Sequence, residues 1–243
     1  MTQAAFTEQT PKSFLQNLFD ESSTQKQRLG CVMRLADGRE FVYVKNGATN
    51  LAVGVLCTTP APLANKSNLA ANAILANANS ILLANVGAPG VTANDYADGF
   101  IHFNKGTGLG YAYKIKSHPV AVANANLTIT LYDPVRLAVA NGANYTLVMN
   151  PHRGVVIGAA TVAGDNPLVG ATVIPLTANY YGWVQTRGPV ALLVNGTLVL
   201  GTGVIQAANG AVGVATANDI VDVIGRALIV NATTEYALID LRM

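Results

Sequence analysis

From Gly30 onward apolar residues recur at every second position in short runs, the period of a strand with one face against a core. The runs 31–35 and 41–44 flank Ala36-Asp37-Gly38, a turn that suits a hairpin. A third strand is predicted over 51–57, ended by Pro60-Ala61-Pro62. Further strands are predicted at 80–86, 100–103, 111–115, 127–132, 145–149 and 155–157. Past Gly170 they continue at 171–176, 181–186, 191–194, 203–206, 213–215, 223–228 and 236–241. Turns fall at intervals of roughly eight to twelve residues, the spacing of a sandwich or barrel. Between these runs no segment is long enough for a crossover helix, which speaks against an α/β fold.

The first residues follow another rule. Thr10-Pro11 is a helix start, with Thr as the cap and Pro in the first helical position. Phe14, Leu15, Leu18 and Phe19 then fall on one helical stripe, and 20–28 is polar and reads as a tether. A helix this short is not stable alone. The expectation is that it docks on an adjacent subunit or a larger shell rather than on its own barrel. These four residues are the candidate protein-contact residues.

The predicted fold is mainly β: antiparallel β-barrel or sandwich modules with a short N-terminal helix. Three regions are expected. They are an arm at 1–29, a β-rich domain at 30–150 with an Ala/Asn-rich insertion, and a small β-barrel at 151–243. Within the insertion, residues 65–78 read either as a short helix or as an irregular linker, since Ala favours helix and Asn opposes it.

Composition adds a constraint. Charged residues make up 12% of the chain and hydrophobic ones 51%, mostly Ala, Val and Leu. So few charges cover a monomer's surface poorly, and much of that surface is expected to be buried against neighbouring proteins. The net charge of +2 is not clustered, so a nucleic-acid partner is not expected. No apolar run reaches the length of a membrane-spanning helix; the longest candidate, 69–86, is broken by Asn72, Asn77, Asn79, Ser80 and Asn85. No membrane partner is expected. Met1 to Gln9 has neither the basic start nor the apolar run of a signal peptide. Cys31 and Cys57 are read as small core residues.

Candidate chemistry is sparse. Gly106-Thr107-Gly108-Leu109-Gly110 could suggest a phosphate loop, but such a loop needs a helix N-terminus directly after it. Tyr111-Ala112-Tyr113-Lys114-Ile115-Lys116 alternates like a strand instead, so the glycines read as a hairpin loop. His102, His118 and His152 lack a second ligand at helical spacing. Asp95, Asp98, Asp133, Asp165, Asp219 and Asp222 read as turn residues rather than a calcium loop. The sequons at Asn65, Asn126, Asn144, Asn195 and Asn231 read as chance products of an Asn-rich chain. Neither a catalytic residue, a cofactor nor a metal is predicted, and the chain is read as non-enzymatic.

Three stretches resemble structural proteins of tailed bacteriophages: residues 99–118, residues 131–136, and the tail that runs from Gly182-Trp183-Val184-Gln185-Thr186-Arg187-Gly188-Pro189-Val190 to Ile224-Gly225-Arg226-Ala227-Leu228. The last is similar to the small β-barrel of capsid decoration, or cement, proteins, where a "GWVQ…GP" strand pair precedes a "VIGRAL" strand and a closing strand, here 236–241. Arg34-Leu35-Ala36-Asp37-Gly38-Arg39 fits the same group. The resemblance implies a virion protein on the outside of the capsid shell, made in the cytoplasm of a bacterial host. It implies the major capsid protein as partner, and self-association as a homo-oligomer, a trimer by preference. The middle section and the N-terminal segment depart from the minimal barrel. A tail, fibre or shell subunit is the alternative, and a β-sandwich carbohydrate-binding module is a third.

Overall fold

The computed structural model describes residues 14–159, 166–216 and 223–243. Among the described residues strand takes 42% and helix 1%, in line with the period-two runs. Helix is confined, among the described residues, to a 3-10 turn at Ala208–Gly210.

The strands of the first sixty residues are β1 (Val32–Arg34), β2 (Glu40–Asn46) and β3 (Leu56–Thr58). Then follow β4 (Leu69–Ala70), β5 (Ser80–Leu83), β6 (Phe100–Lys105), β7 (Ala112–Ser117), β8 (Leu127–Leu131) and β9 (Asn144–Val148). The remainder are β10 (Arg153–Ile157), β11 (Leu168–Thr172), β12 (Tyr181–Leu193), β13 (Gly203–Gln206), β14 (Val212–Val214), β15 (Gly225–Ala227) and β16 (Tyr236–Arg242).

Two compact units result. One is Ala61–Asn150; the other joins Met1–Pro60 to Pro151–Met243. The expected boundary at 150/151 is present, but the expected domains at 30–150 and 151–243 are not the units that form. Residues 30–60 belong with the C-terminal half because β2 pairs with β10 and β12, and β3 pairs with β10 and β11.

In the discontinuous unit the pairings β2–β10–β3–β11–β12 return to β2, which closes a ring of five strands. One contact in that ring is parallel, β2 with β10. The sequence explains why β2 can sit at its centre. Val42 and Val44 point into the ring with Val55, Cys57, Val155 and Val184. Phe41 and Tyr43 point outward, where Leu18, Met33, Leu35 and Trp183 cover them. A strand buried on both faces reads as an unbroken apolar run, as Phe41-Val42-Tyr43-Val44 does.

β12 serves two rings. Its first half pairs with β2, and from Arg187 onward it pairs with β16. The sheet then continues β16–β15–β13–β14, and a parallel bridge from Val194 to Val212 brings β14 back beside the end of β12. The handover needs a bend. Gly188 has φ +86°, and a Cβ there would lie 2.9 Å from the Arg39 side chain, so glycine is required. Gln185 holds the bend: its Nε2 donates to the carbonyls of Arg187, Gly188 and Pro189 at 2.9, 3.1 and 3.0 Å. The two strands predicted at 181–186 and 191–194 are one, because the bend bridges the proline.

A local unit recurs throughout both units. Four of the five isolated antiparallel bridges among the described residues join Leu51 to Leu176, Ile74 to Val139, Val91 to Ala121, and Leu198 to Asn231. In all eight cases the residue three positions further on is left-handed: Gly54, Asn77, Asn94, Asn124, Gly142, Asn179, Gly201 and Thr234. The N–H of each of these donates across to the chain just ahead of the partner bridge. Gly54 donates to Thr172 O at 2.9 Å and Asn179 to Gly47 O at 2.8 Å; likewise Asn77 to Val135 O at 2.6 Å and Asn124 to Gly87 O at 3.1 Å. A strand follows each time. Asn is the non-glycine residue best suited to a left-handed turn, which accounts for its abundance.

The inserted unit is an antiparallel sheet in the order β4-β9-β6-β7-β8-β5. Its inward positions alternate: Ile101 and Phe103, Tyr113 and Ile115, Leu127 and Ile129, Tyr145 and Leu147. Among the described residues no backbone hydrogen bond joins 65–71 to 80–89. Side chains do so instead. Lys66 Nζ donates to Val86 O at 2.7 Å, to Gly87 O at 3.3 Å and to Pro89 O. Asn65 Nδ2 donates to Ala88 O at 3.0 Å, and the Tyr145 hydroxyl to Asn85 O. The 65–78 segment is therefore neither helix nor linker, but β4, two turns and a bridge.

The expected N-terminal helix is absent from residues 14–19, which form bends and a turn. Its start at Thr10-Pro11 lies outside the described residues. The physical reason is a better set of partners than helical bonds. Gln16 Nε2 donates to Asp20 O at 2.7 Å and Tyr181 O at 3.0 Å, Tyr43 OH donates to Gln16 Oε1 at 2.6 Å, and Trp183 Nε1 to Gln16 O at 3.3 Å. Nor is 20–28 a tether. Ser22 bridges Tyr181 in both directions, at 3.0 and 2.8 Å, and the Glu21 carboxylate accepts from Thr177 N and Oγ1, both at 2.7 Å.

Candidate protein-contact surface

The four candidate contact residues separate into two pairs. Leu18 is fully buried and Phe14 packs against the same cluster, its ring edge-on to Trp183 at 5.3 Å. These two belong to the chain's own core, which corrects the expectation that the whole stripe docks elsewhere. Leu15 and Phe19 point the other way and are 77% and 53% exposed.

The segments that might carry chemistry resolve into structural roles. Gly106, Gly108 and Gly110 all take positive φ in the β6–β7 hairpin loop, as the strand pattern after them implies. His118 is buried; its Nε2 accepts from Tyr96 N at 3.0 Å and its Nδ1 lies 2.8 Å from Pro119 O. His152 packs against Gly30, and burial lowers its pKa. Cys57 lies in the ring's interior, its thiol pushed up to about 12 by burial, while half-buried Cys31 packs against the outer cluster. Asp95 caps Thr92 N at 2.7 Å. Asp98, itself left-handed, accepts from Tyr132 OH at 3.1 Å and lies 3.9 Å from Lys114 Nζ. Asp165, Asp219 and Asp222 lie outside the described residues. Among the described residues no group of three His, Cys, Asp or Glu side chains is placed to hold a metal ion.

Trp183 is fully buried, so it cannot serve as a platform for sugar stacking.

A second apolar surface was not predicted. Where β12, β16 and β15 pair, their outward side chains align in rows: Ala191 beside Leu238, with Leu228 donating its N–H to Leu238 O at 2.9 Å, and Leu193 beside Tyr236. Leu228, Tyr236 and Leu238 are exposed, and Val53 joins them through Tyr236 OH, which donates to Val53 O at 3.3 Å. The signal lay in the sequence as unbroken apolar runs, Pro189-Val190-Ala191-Leu192-Leu193 and Tyr236-Ala237-Leu238-Ile239. Only one face of each enters the core, through Val190, Leu192, Ala237 and Ile239.

Charges border this surface in another row. Arg34, Glu40, Arg187 and Arg242 are in register across β1, β2, β12 and β16. Glu40 lies 3.0 Å from Arg34 and 3.6 Å from Arg187, and Arg242 meets Asp240 at 2.8 Å.

Comparison with known proteins finds no matching family, no matching curated protein and no matching solved structure.

Proposed function

We propose that this chain is a virion structural protein, a capsid decoration or cement protein that binds the head shell of a tailed phage and stabilises it. It is non-enzymatic in this reading, self-associates, and takes the major capsid protein as its partner on the capsid surface.

The observation that carries the reading is the apolar outer surface of β12 and β16, which Leu228 extends just past the end of β15. These segments resemble decoration proteins, and here Ala191, Leu193, Leu228, Tyr236 and Leu238 lie on the face away from the core. A chain with 12% charged residues and such a surface is suited to burial against protein. The buried Trp183 weighs against the carbohydrate-binding alternative.

The test is to add the purified protein to expanded tailed-phage heads stripped of decoration. Binding should add density to the outer surface in electron cryo-microscopy and raise the melting temperature of the heads, since a ligand of the assembled state stabilises it by mass action. Heads that neither bind the protein nor gain stability would refute the assignment.

A further inference from the structure

Four Asn-Gly steps occur in the chain, at 46–47, 141–142, 195–196 and 209–210. Such a step can cyclise, because the glycine nitrogen reaches the preceding side-chain carbonyl with no Cβ in the way. The nitrogen attacks only after it gives up its proton, so whatever accepts the glycine N–H restrains the reaction.

At three of the steps the acceptor is a main-chain carbonyl built into the fold. Gly47 N donates to Val155 O at 2.8 Å, and Asn46 is itself fully buried, its Nδ2 donating to the carbonyls of Thr49, Leu176 and Thr177. Gly210 is buried and donates to Gly158 O at 2.7 Å. Asn141 is exposed, but Gly142 N donates to Ala71 O at 2.9 Å, inside the bridge-and-turn unit that joins Ile74 to Val139. These three nitrogens turn only if neighbouring segments part.

Gly196 differs. Its N–H donates at 3.0 Å to Thr233 Oγ1, a hydroxyl on an exposed side chain. That hydroxyl can rotate to water, which exchanges one modest hydrogen bond for another. Asn195 is exposed too, Gly196 has φ +96°, and no atom lies within 4 Å of the place a Cβ on Gly196 would take, so the turn has open space on that side.

We infer that Asn195 is a site of self-catalysed modification, at which the folded chain converts its own amide to an acid ahead of the other three steps. The deprotonated Gly196 nitrogen forms a bond to Asn195 Cγ, the Cγ–Nδ2 bond breaks, and ammonia leaves with a proton taken back from solvent. The succinimide that results takes up one water. Opening at Cγ leaves an aspartate; opening at the main-chain carbonyl leaves an isoaspartate, whose main chain is one atom longer. The balance is amide plus water to acid plus ammonia, with no oxidant and no second protein. Either product places a negative charge two residues past Leu193, so the age of the protein is recorded close to its outer apolar surface. The inference goes beyond the decoration reading and does not depend on it.

The test ages the full folded chain in mildly alkaline buffer and maps its peptides by mass at intervals. The peptide holding Asn195 should gain the mass difference of amide to acid and split into aspartate and isoaspartate forms, with ammonia released in proportion. Peptides holding Asn46, Asn141 and Asn209 should stay unmodified over the same interval. In urea, where the acceptors are lost, all four steps should react at comparable rates. Thr233→Val removes the acceptor and should speed the reaction at Asn195 several-fold with circular dichroism unchanged; Thr233→Ser keeps the hydroxyl and should match the wild type. The order of modification in the wild type decides the matter by itself should Thr233→Val fold poorly. Another step reacting first, an intact Asn195 in a chain whose urea control reacts, or a folded Thr233→Val variant of unchanged rate would each overturn the inference.

Discussion

The first ring of the discontinuous unit and the sheet of the inserted unit solve the same problem in different ways. Both are β-structures of short strands, both use the bridge-and-turn unit, and both must protect a core at a sheet edge. The ring closes through backbone: Val42 faces Val184 and Tyr43 faces Trp183 in a continuous ladder. The inserted sheet has a seam closed by side chains, with Lys66 at its centre. A backbone ladder spreads closure over many residues, and its side chains are then free to build two cores. A side-chain seam concentrates closure in one ammonium, 2% exposed. Burial pushes the pKa of that ammonium down, while three carbonyl dipoles offset the loss of water.

The largest effect should come from the ladder's outer core. Trp183→Ala removes a side chain packed against Phe14 and Tyr43, and should cost about 3–5 kcal/mol. Urea unfolding should show the loss in the transition of the discontinuous unit, with that of the inserted unit unmoved. An equal shift of both transitions would show that the two closures are not independent.

Lys66→Met attacks the seam and should be nearly as severe. Gly87 O keeps the Asn124 N–H, but the Val86 and Pro89 carbonyls lose their donor at roughly 1–3 kcal/mol each, so a loss of about 3 kcal/mol is expected. Hydrogen exchange should quicken first in the strands beside the seam. An unchanged exchange pattern would mean that packing, not the ammonium, seals the sheet.

The shared turn unit predicts equal sensitivity in both regions. Asn179→Ala in one and Asn124→Ala in the other should each cost about 1–2 kcal/mol, the penalty for an ordinary side chain in the left-handed conformation. Glycine at either position should be close to neutral, as Gly54, Gly142 and Gly201 already occupy equivalent sites. Thermal melts of the four variants decide this.

The smallest effect concerns acid. Burial lowers the pKa of His152, so the folded chain binds its proton less readily than the unfolded chain does. Stability from this group is present above the unfolded value near 6.5 and is lost as pH falls through the folded value. His152→Gln should flatten the acid limb of the stability curve of the discontinuous unit alone. A limb of unchanged slope assigns acid sensitivity to other groups.

Much of this was legible in the sequence. Alternation located nearly every strand, because one-sided burial imposes it directly. The N-terminal stripe misled because 14, 15, 18 and 19 fit a helix as well as they fit a bent segment with Phe14 and Leu18 turned inward. What decides between them is Gln16, whose partners Tyr43, Tyr181 and Trp183 are distant in sequence. The repeated turn was also visible in part, as Ala-Asn at 76–77, 93–94, 123–124 and 178–179. Its meaning comes from reciprocal bonds to residues up to 125 positions away, such as those between Leu51 and Leu176, which no local pattern reports. The outer apolar surface of β12 and β16 was not predicted, although those strands are too apolar for one buried face.

One feature of the chain path has a practical meaning. β3 and β10 are antiparallel neighbours, with Thr58 facing Val156 and Cys57 facing Ile157. The ninety residues Ala61–Asn150 thus leave and re-enter at the mouth of what would otherwise be a plain hairpin. In engineering terms the position is a port. A two- to five-residue turn could close it, and a foreign module whose ends lie close together could be carried there, with the host strands already in register to receive it.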